Sequence, residues 1–73
     1  MSAKKGGEAM KLNGKVVLLE QEQTLFEFLT AEQFDCKRIA VERNGEIVPK
    51  AEYENIWLSN EDRLEIVRFV GGG

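Results

Sequence analysis

Apolar residues change their spacing several times along the chain, and each spacing predicts a different element. Met10-Lys11-Leu12 and Lys15-Val16-Val17-Leu18-Leu19 are two apolar stretches on either side of Asn13-Gly14. Asn-Gly supplies the positive φ angles of a two-residue turn, so this segment predicts a β-hairpin. After the polar Glu20-Gln21-Glu22-Gln23 the spacing becomes helical. Leu25, Phe28 and Leu29 fall at i, i+3 and i+4, a stripe expected to run to about Phe34. Thr24 and Glu27 have the spacing of a capping box, in which each satisfies an amide that the first helical turn leaves open. The stripe's aromatic content fits packing of helix on sheet rather than a ligand pocket.

Ile39-Ala40-Val41-Glu42-Arg43 reads as a strand, and Asn44-Gly45 turns it into Glu46-Ile47-Val48. Pro49 lacks the amide a ladder needs, so Pro49 to Asn55 reads as a crossing loop with at most one helical turn near Glu52 and Tyr53. Ile56-Trp57-Leu58 is a short apolar strand, Ser59 to Asp62 a turn, and Arg63 to Val70 the longest strand.

That order predicts an α+β fold in which one main helix crosses one face of a mixed sheet. The last strand lies parallel beside the first at the sheet centre, which is the β-grasp arrangement. Alternation along the last strand puts Leu64 and Ile66 on one face and Glu65, Val67 and Phe69 on the other. A sheet covered by a single helix has one wet face. Val67 and Phe69 on that face form a candidate docking patch for a partner protein. The competing reading is a β-bulge that rotates Phe69 back into the core.

Three glycines, Gly71-Gly72-Gly73, follow the last strand. Glycine loses more conformational entropy on folding than any other residue, so residues 71–73 are expected to be a mobile tail beyond a domain spanning 10–70. Without Cβ atoms such a tail can enter a narrow channel and bring the Gly73 carboxylate to a reactive centre. The polar, aperiodic residues 1–9 are expected to be a flexible N-terminal extension or a tag remnant.

Composition narrows the chemistry. A chain of 73 residues buries only about 60% of its unfolded surface, which leaves little room for a deep, water-excluded active site. A net charge of −3 offers no clustered basic surface for nucleic acid. There is no histidine and one cysteine, Cys36, so an internal disulfide and a Cys/His zinc site are both excluded. Cys36 reads as a small buried hydrophobe or bystander, the alternative being a thiol activated by some other base. No apolar run approaches the roughly 20 residues of a membrane span, and Met1 to Ala9 lacks a signal peptide's apolar centre, so a cytoplasmic location is expected.

Three segments together resemble the ThiS family, the sulfur carrier proteins of thiamin biosynthesis, ubiquitin-like in fold. They are Asn13-Gly14, Ile39 to Pro49 (IAVERNGEIVP) and Asp62 to Gly73 (DRLEIVRFVGGG). The resemblance covers Met10 to Gly73, and its specificity lies in the combination rather than in the glycines alone. Ser59-Asn60-Glu61-Asp62 lacks the glycine that many relatives carry before the aspartate, a departure that bears only on that turn's geometry.

The resemblance implies a carrier acted on by enzymes, with no cofactor of its own. An α-carboxylate, with a reference pKa of about 3.3–3.7, is an anion at neutral pH and a poor acceptor for a sulfur nucleophile, so it must be activated. In this family a ThiF-type adenylyltransferase uses ATP and magnesium to convert the Gly73 carboxylate to an acyl-adenylate. Sulfur from a donor such as a cysteine desulfurase then gives a thiocarboxylate, which the carrier delivers to thiazole synthase. Gly73 is the reacting residue. Gly71 and Gly72 are the thread, the three together spanning roughly 10 Å at 3.3–3.6 Å per residue. Three other functions share parts of this pattern: a molybdopterin-type sulfur carrier, a ubiquitin-like protein modifier and a non-reactive β-grasp binding module.

Overall fold

In a computed structural model, which describes residues 9–69, both Asn-Gly pairs reverse the chain. Asn13 and Gly14 have φ of 52° and 84°, and Asn44 and Gly45 have 54° and 91°. Two consecutive positive φ angles match the right-handed twist of the flanking strands. The first turn joins β1 (Met10–Leu12) to β2 (Lys15–Val17), and the second joins β3 (Ile39–Arg43) to β4 (Glu46–Ile47). The last strand, β5 (Arg63–Arg68), lies between the hairpins, parallel to β1 and antiparallel to β3. The sheet order is β2-β1-β5-β3-β4, as the β-grasp reading requires. The sequence expectations for residues 1–8 and for Val70 to Gly73, including the roles of Gly71, Gly72 and Gly73, lie outside the described residues.

The one α-helix among the described residues, α1, spans Leu25–Ala31 and begins with the expected capping box. Thr24 N–H donates to Glu27 Oε1 at 3.0 Å, and Glu27 N–H donates to Thr24 Oγ1 at 3.1 Å. Its end corrects the sequence reading, because the stripe does not continue to Phe34. Gln33 adopts φ 68°, its N–H donates to the Thr30 carbonyl, and Phe34 N–H reaches back to the Leu29 carbonyl at 2.9 Å. This paired closure on a left-handed residue ends the helix. Phe34 is thereby folded back against the core.

A second correction concerns Ile56-Trp57-Leu58, which adds no strand to the sheet. Trp57 forms an isolated bridge with Thr24, the Ile56 carbonyl accepts from Leu25 N–H, and Leu58 N–H donates to the Gln23 carbonyl. The segment pairs instead with the residues leading into α1. Alternation survives there, with Leu58 buried and Trp57 exposed. The crossing loop contains the single turn expected of it, a 3-10 turn over Lys50–Glu52.

Helix and sheet meet in one core. Met10, Leu25, Leu29, Ile39, Val41 and Leu64 are fully buried, and Phe28, Val48, Tyr53, Leu58 and Ile66 pack with them. Each such aliphatic side chain contributes roughly 1.5–3 kcal/mol on leaving water. Tyr53 is the polar exception, since its hydroxyl is buried without a partner. Burial pushes that hydroxyl above the usual phenol range, and nearby Cys36 adds to the shift. Cys36 is a free, half-buried thiol packed against the core, as a small hydrophobe would be. Among the described residues, no helix is long and apolar enough to cross a membrane.

Candidate functional site: the outer face of the central strand

The candidate site is built on β5 because that strand leads directly into the glycines, and its position is fixed from both sides. Asp62, which precedes it, is buried. Its Oδ1 accepts from Asn44 Nδ2 and its Oδ2 from Ser59 N–H, both at 3.0 Å. The Arg43 guanidinium lies 3.3 Å from Oδ2, an ion pair in which the Arg43 Nε–H makes no hydrogen bond. Asn44 Oδ1 also accepts from Arg63 N–H at 2.9 Å. The Ser59 to Asp62 turn thus closes through the Asp62 carboxylate, in a geometry that does not depend on a glycine before it. At the other end of the strand, Phe69 N–H donates to the Arg38 carbonyl at 2.8 Å.

The pairing register of β5 with β3 runs without interruption from Arg43↔Leu64 to Ile39↔Arg68. No bulge intervenes, so alternation carries through. Leu64 and Ile66 face α1, while Val67 and Phe69 are 60% and 59% exposed on the far side. The competing reading, Phe69 turned into the core, does not describe the molecule.

Cross-strand partners share a face, which organises the outer surface into bands. At the start of β5, Arg63 lies beside Lys11, which pairs with Val16. Next, Glu65 lies beside Glu42, which pairs with Ile47. Val67 then lies beside Ala40, followed by Phe69. Going toward the tail, the face passes from basic to acidic to apolar.

Val67 and Phe69 are therefore joined by a position that the sequence reading missed, Ala40, while Ile47 lies one band earlier, beyond Glu42. The small Ala40 leaves Val67 accessible from the side, and Ile47 is 64% exposed. Face parity within the second hairpin was available from its two-residue turn, which sets Glu42 opposite Ile47. Its alignment with β5 depends on a pairing between strands more than twenty residues apart. A surface cleft of about 480 Å³, lined in part by Lys11, Val16, Asn60 and Arg63, sits at the start of β5, the opposite end of the strand from Phe69. Among the described residues, no group of His, Cys, Asp or Glu is arranged to hold a metal. The face is suited to protein contact, and its side chains supply no nucleophile or base arrangement.

Comparison with known proteins agrees with this anatomy. The model of the ThiS family matches residues 7–73. The sulfur carrier protein ThiS of Bacillus subtilis (strain 168) is 42% identical over 65 residues, covering 88% of this chain and 98% of that one. A thiazole synthase from Paramagnetospirillum magneticum is 40% identical over 65 residues, covering 81% of this chain. This chain spans only 20% of that protein's length. The crystal structure of the thiamine biosynthesis protein (ThiS) from Geobacter metallireducens superposes with a TM-score of 0.74 at 25% identity, covering 88% of this chain and 97% of that one.

Proposed function

The chain belongs to the ThiS family, and from that premise we propose that it is a sulfur carrier for thiazole synthesis whose reacting group is the Gly73 carboxylate. The observation that carries this reading is the similarity to the Bacillus carrier across 98% of that protein's length. A similarity confined to the sheet would support a β-grasp binding module equally well.

The chemistry is supplied by partners. A ThiF-type adenylyltransferase joins the Gly73 carboxylate to the α-phosphate of magnesium-bound ATP and releases pyrophosphate. The terminal sulfur of a donor persulfide, such as that of a cysteine desulfurase, attacks the acyl carbon. A C–S bond forms and the C–O bond to AMP breaks. A thiol then attacks the donor cysteine's own sulfur in this acyl disulfide, the S–S bond breaks as a new disulfide forms between thiol and donor, and the sulfur on the acyl carbon keeps the electron pair as the Gly73 thiocarboxylate. Gly71 and Gly72 thread the channel, since any Cβ there adds bulk and restricts the backbone. Val67 and Phe69 hold the carrier on its partner. The segment similar to this chain within a thiazole synthase supports that enzyme as the receiving partner.

The test is incubation with the adenylyltransferase, MgATP and a persulfide donor, read by mass spectrometry of the terminal peptide. The expected result is an oxygen-to-sulfur exchange confined to Gly73, unchanged in Cys36→Ser. One residue added after Gly73 is expected to abolish it, because the reacting carbon is displaced from its near-attack position. Normal conversion of the extended chain at its new terminus would falsify the threading mechanism. Isopeptide conjugates in place of thiocarboxylate would assign the chain to protein modification instead.

A further inference from the structure

β3 has main-chain partners on both sides for most of its length, and its start is the exception. On the β5 side the rungs continue as far as the Arg38 carbonyl, which accepts from Phe69 N–H at 2.8 Å. On the β4 side the last main-chain rung is Val48 N–H to the Val41 carbonyl at 2.9 Å. Continued by two residues, that antiparallel register sets Lys50 opposite Ile39, but at Lys50 the main chain has entered its 3-10 turn.

The Lys50 side chain closes the rung instead. Its ammonium donates to the Ile39 carbonyl at 2.7 Å and to the Cys36 carbonyl at 2.8 Å, and stands 5.7 Å from the centre of the Tyr53 ring. Asn13 plays a similar part beside β5, where β1 has already turned into its hairpin: its Oδ1 accepts from Ile66 N–H at 2.7 Å. The Lys50 bonds carry a charge on the donor, which makes them roughly twice as strong as neutral ones. The ion pair across the same turn, Arg38 Nε to Asp35 Oδ2 at 3.4 Å, is exposed, and such pairs contribute little.

Cys36 and Ile39 bracket Arg38 in the chain, and Arg38 holds Phe69. We propose that Lys50 is a positioning residue for docking: by holding the Cys36 and Ile39 carbonyls, its ammonium fixes the Arg38 carbonyl and, through it, the placement of Phe69 on the outer face. Lys50 reaches β3 from the edge opposite β5, so it acts through the main chain and does not touch the partner. A side chain presented for recognition needs such a supporting shell. The proposal rests on the carrier function given above and on the Phe69 contact within it.

The test replaces Lys50 by methionine, which keeps an unbranched stem against Tyr53 and removes the ammonium. Amide hydrogen exchange is read at Phe69 and, as an internal reference, at Asn13, whose N–H donates to the Leu64 carbonyl toward the other end of β5. Thr24→Ala, which loosens the start of α1 instead, controls for a general loss of stability. KM and kcat for each chain are measured with the adenylyltransferase from the same organism, at low and high salt.

We expect Lys50→Met to speed exchange at Phe69 relative to Asn13 by roughly three- to tenfold. KM for the carrier is expected to rise about threefold at either salt concentration with kcat unchanged, since binding is weakened and the Gly73 carboxylate is untouched. Thr24→Ala should move neither the exchange ratio nor KM. If Lys50→Met unfolds, the same comparison is made in trimethylamine N-oxide, which favours the compact state. An unchanged ratio of Phe69 to Asn13 exchange overturns the clamp, and so does a Thr24→Ala chain that shifts the ratio as far. Faster exchange with an unchanged KM overturns the part played in docking. A rise in KM that high salt abolishes assigns Lys50 to direct contact with the partner and overturns action through Phe69. A parent chain that the adenylyltransferase neither binds nor converts overturns the carrier reading and the docking role with it, while the exchange ratio still decides the clamp.

Discussion

The two faces of β5 carry the same kind of side chain to different ends. Leu64 and Ile66 are 0% and 7% exposed, whereas Val67 and Phe69, one and three residues further on, are 60% and 59% exposed. Strand pairing runs through Leu64, Ile66 and Val67, and Phe69 N–H still donates to the Arg38 carbonyl just beyond it, so local order does not separate them. What differs is the presence of α1 on one side only. Apolar area buried under the helix stabilises the fold. Apolar area left on the other face contributes little to folding and remains available for burial against a partner.

The largest expected effect comes from the covered face. Leu64→Ala removes a fully buried side chain at the sheet centre and is expected to destabilise by about 2–5 kcal/mol. For a domain of this size that is a large part of the total stability. Urea denaturation would read it as a lower midpoint with little change in slope.

On the open face, Val67→Glu or Phe69→Glu is expected to change stability by no more than about 0.5 kcal/mol. Affinity for the adenylyltransferase or thiazole synthase should fall by roughly tenfold or more, since a charge would be buried in the contact. Binding and unfolding must be measured on the same samples. A collapse of stability with normal affinity in the folded fraction would remove the contrast between the faces.

The helix that creates the contrast can be weakened without touching either face. Thr24→Ala removes the Oγ1 acceptor from the capping box and is expected to cost about 1 kcal/mol, with partner affinity of the folded protein unchanged. A thermal melt and a binding titration together check both parts.

Tyr53→Phe should have the smallest effect, because the buried hydroxyl has no partner to lose. Near neutral pH the substitution is expected to be neutral or stabilising by less than about 1 kcal/mol. Its pH dependence has a definite sign. Burial raises the folded-state pKa above the ordinary phenol value, so the unfolded chain ionises first as pH rises. Stability is fully present below the unfolded pKa and falls as pH climbs toward the folded one. Tyr53→Phe should remove that component, which unfolding titrations on either side of about pH 10 would show.

Residues whose roles are set by near neighbours were legible in the sequence. The Asn-Gly pairs imposed hairpins because their conformational preference is local. Thr24 and Glu27 formed a capping box because three residues of spacing suffice. The end of α1 was not legible, because Gln33, an ordinary helix former, takes a left-handed conformation as Phe34 packs against the core. Ile56 to Leu58 had the composition of a strand, but its pairing partner proved to be the segment leading into α1. The candidate site was half legible: Val67 and Phe69 followed from alternation, while Ala40 joined Val67 only through register with a distant strand.

The sequence by itself determined the element order, both turns, the helix start and the parity of β5, because each depends on spacing along a few residues. Only the tertiary structure decided which outer-face residues lie together, where the β1 ladder ends, and that two turn asparagines hold the central strand. Asn13 meets Ile66 across 53 positions, and Asn44 meets Arg63 across 19. Contacts at such separations form only when the whole sheet assembles around its core, and no short-range pattern encodes them.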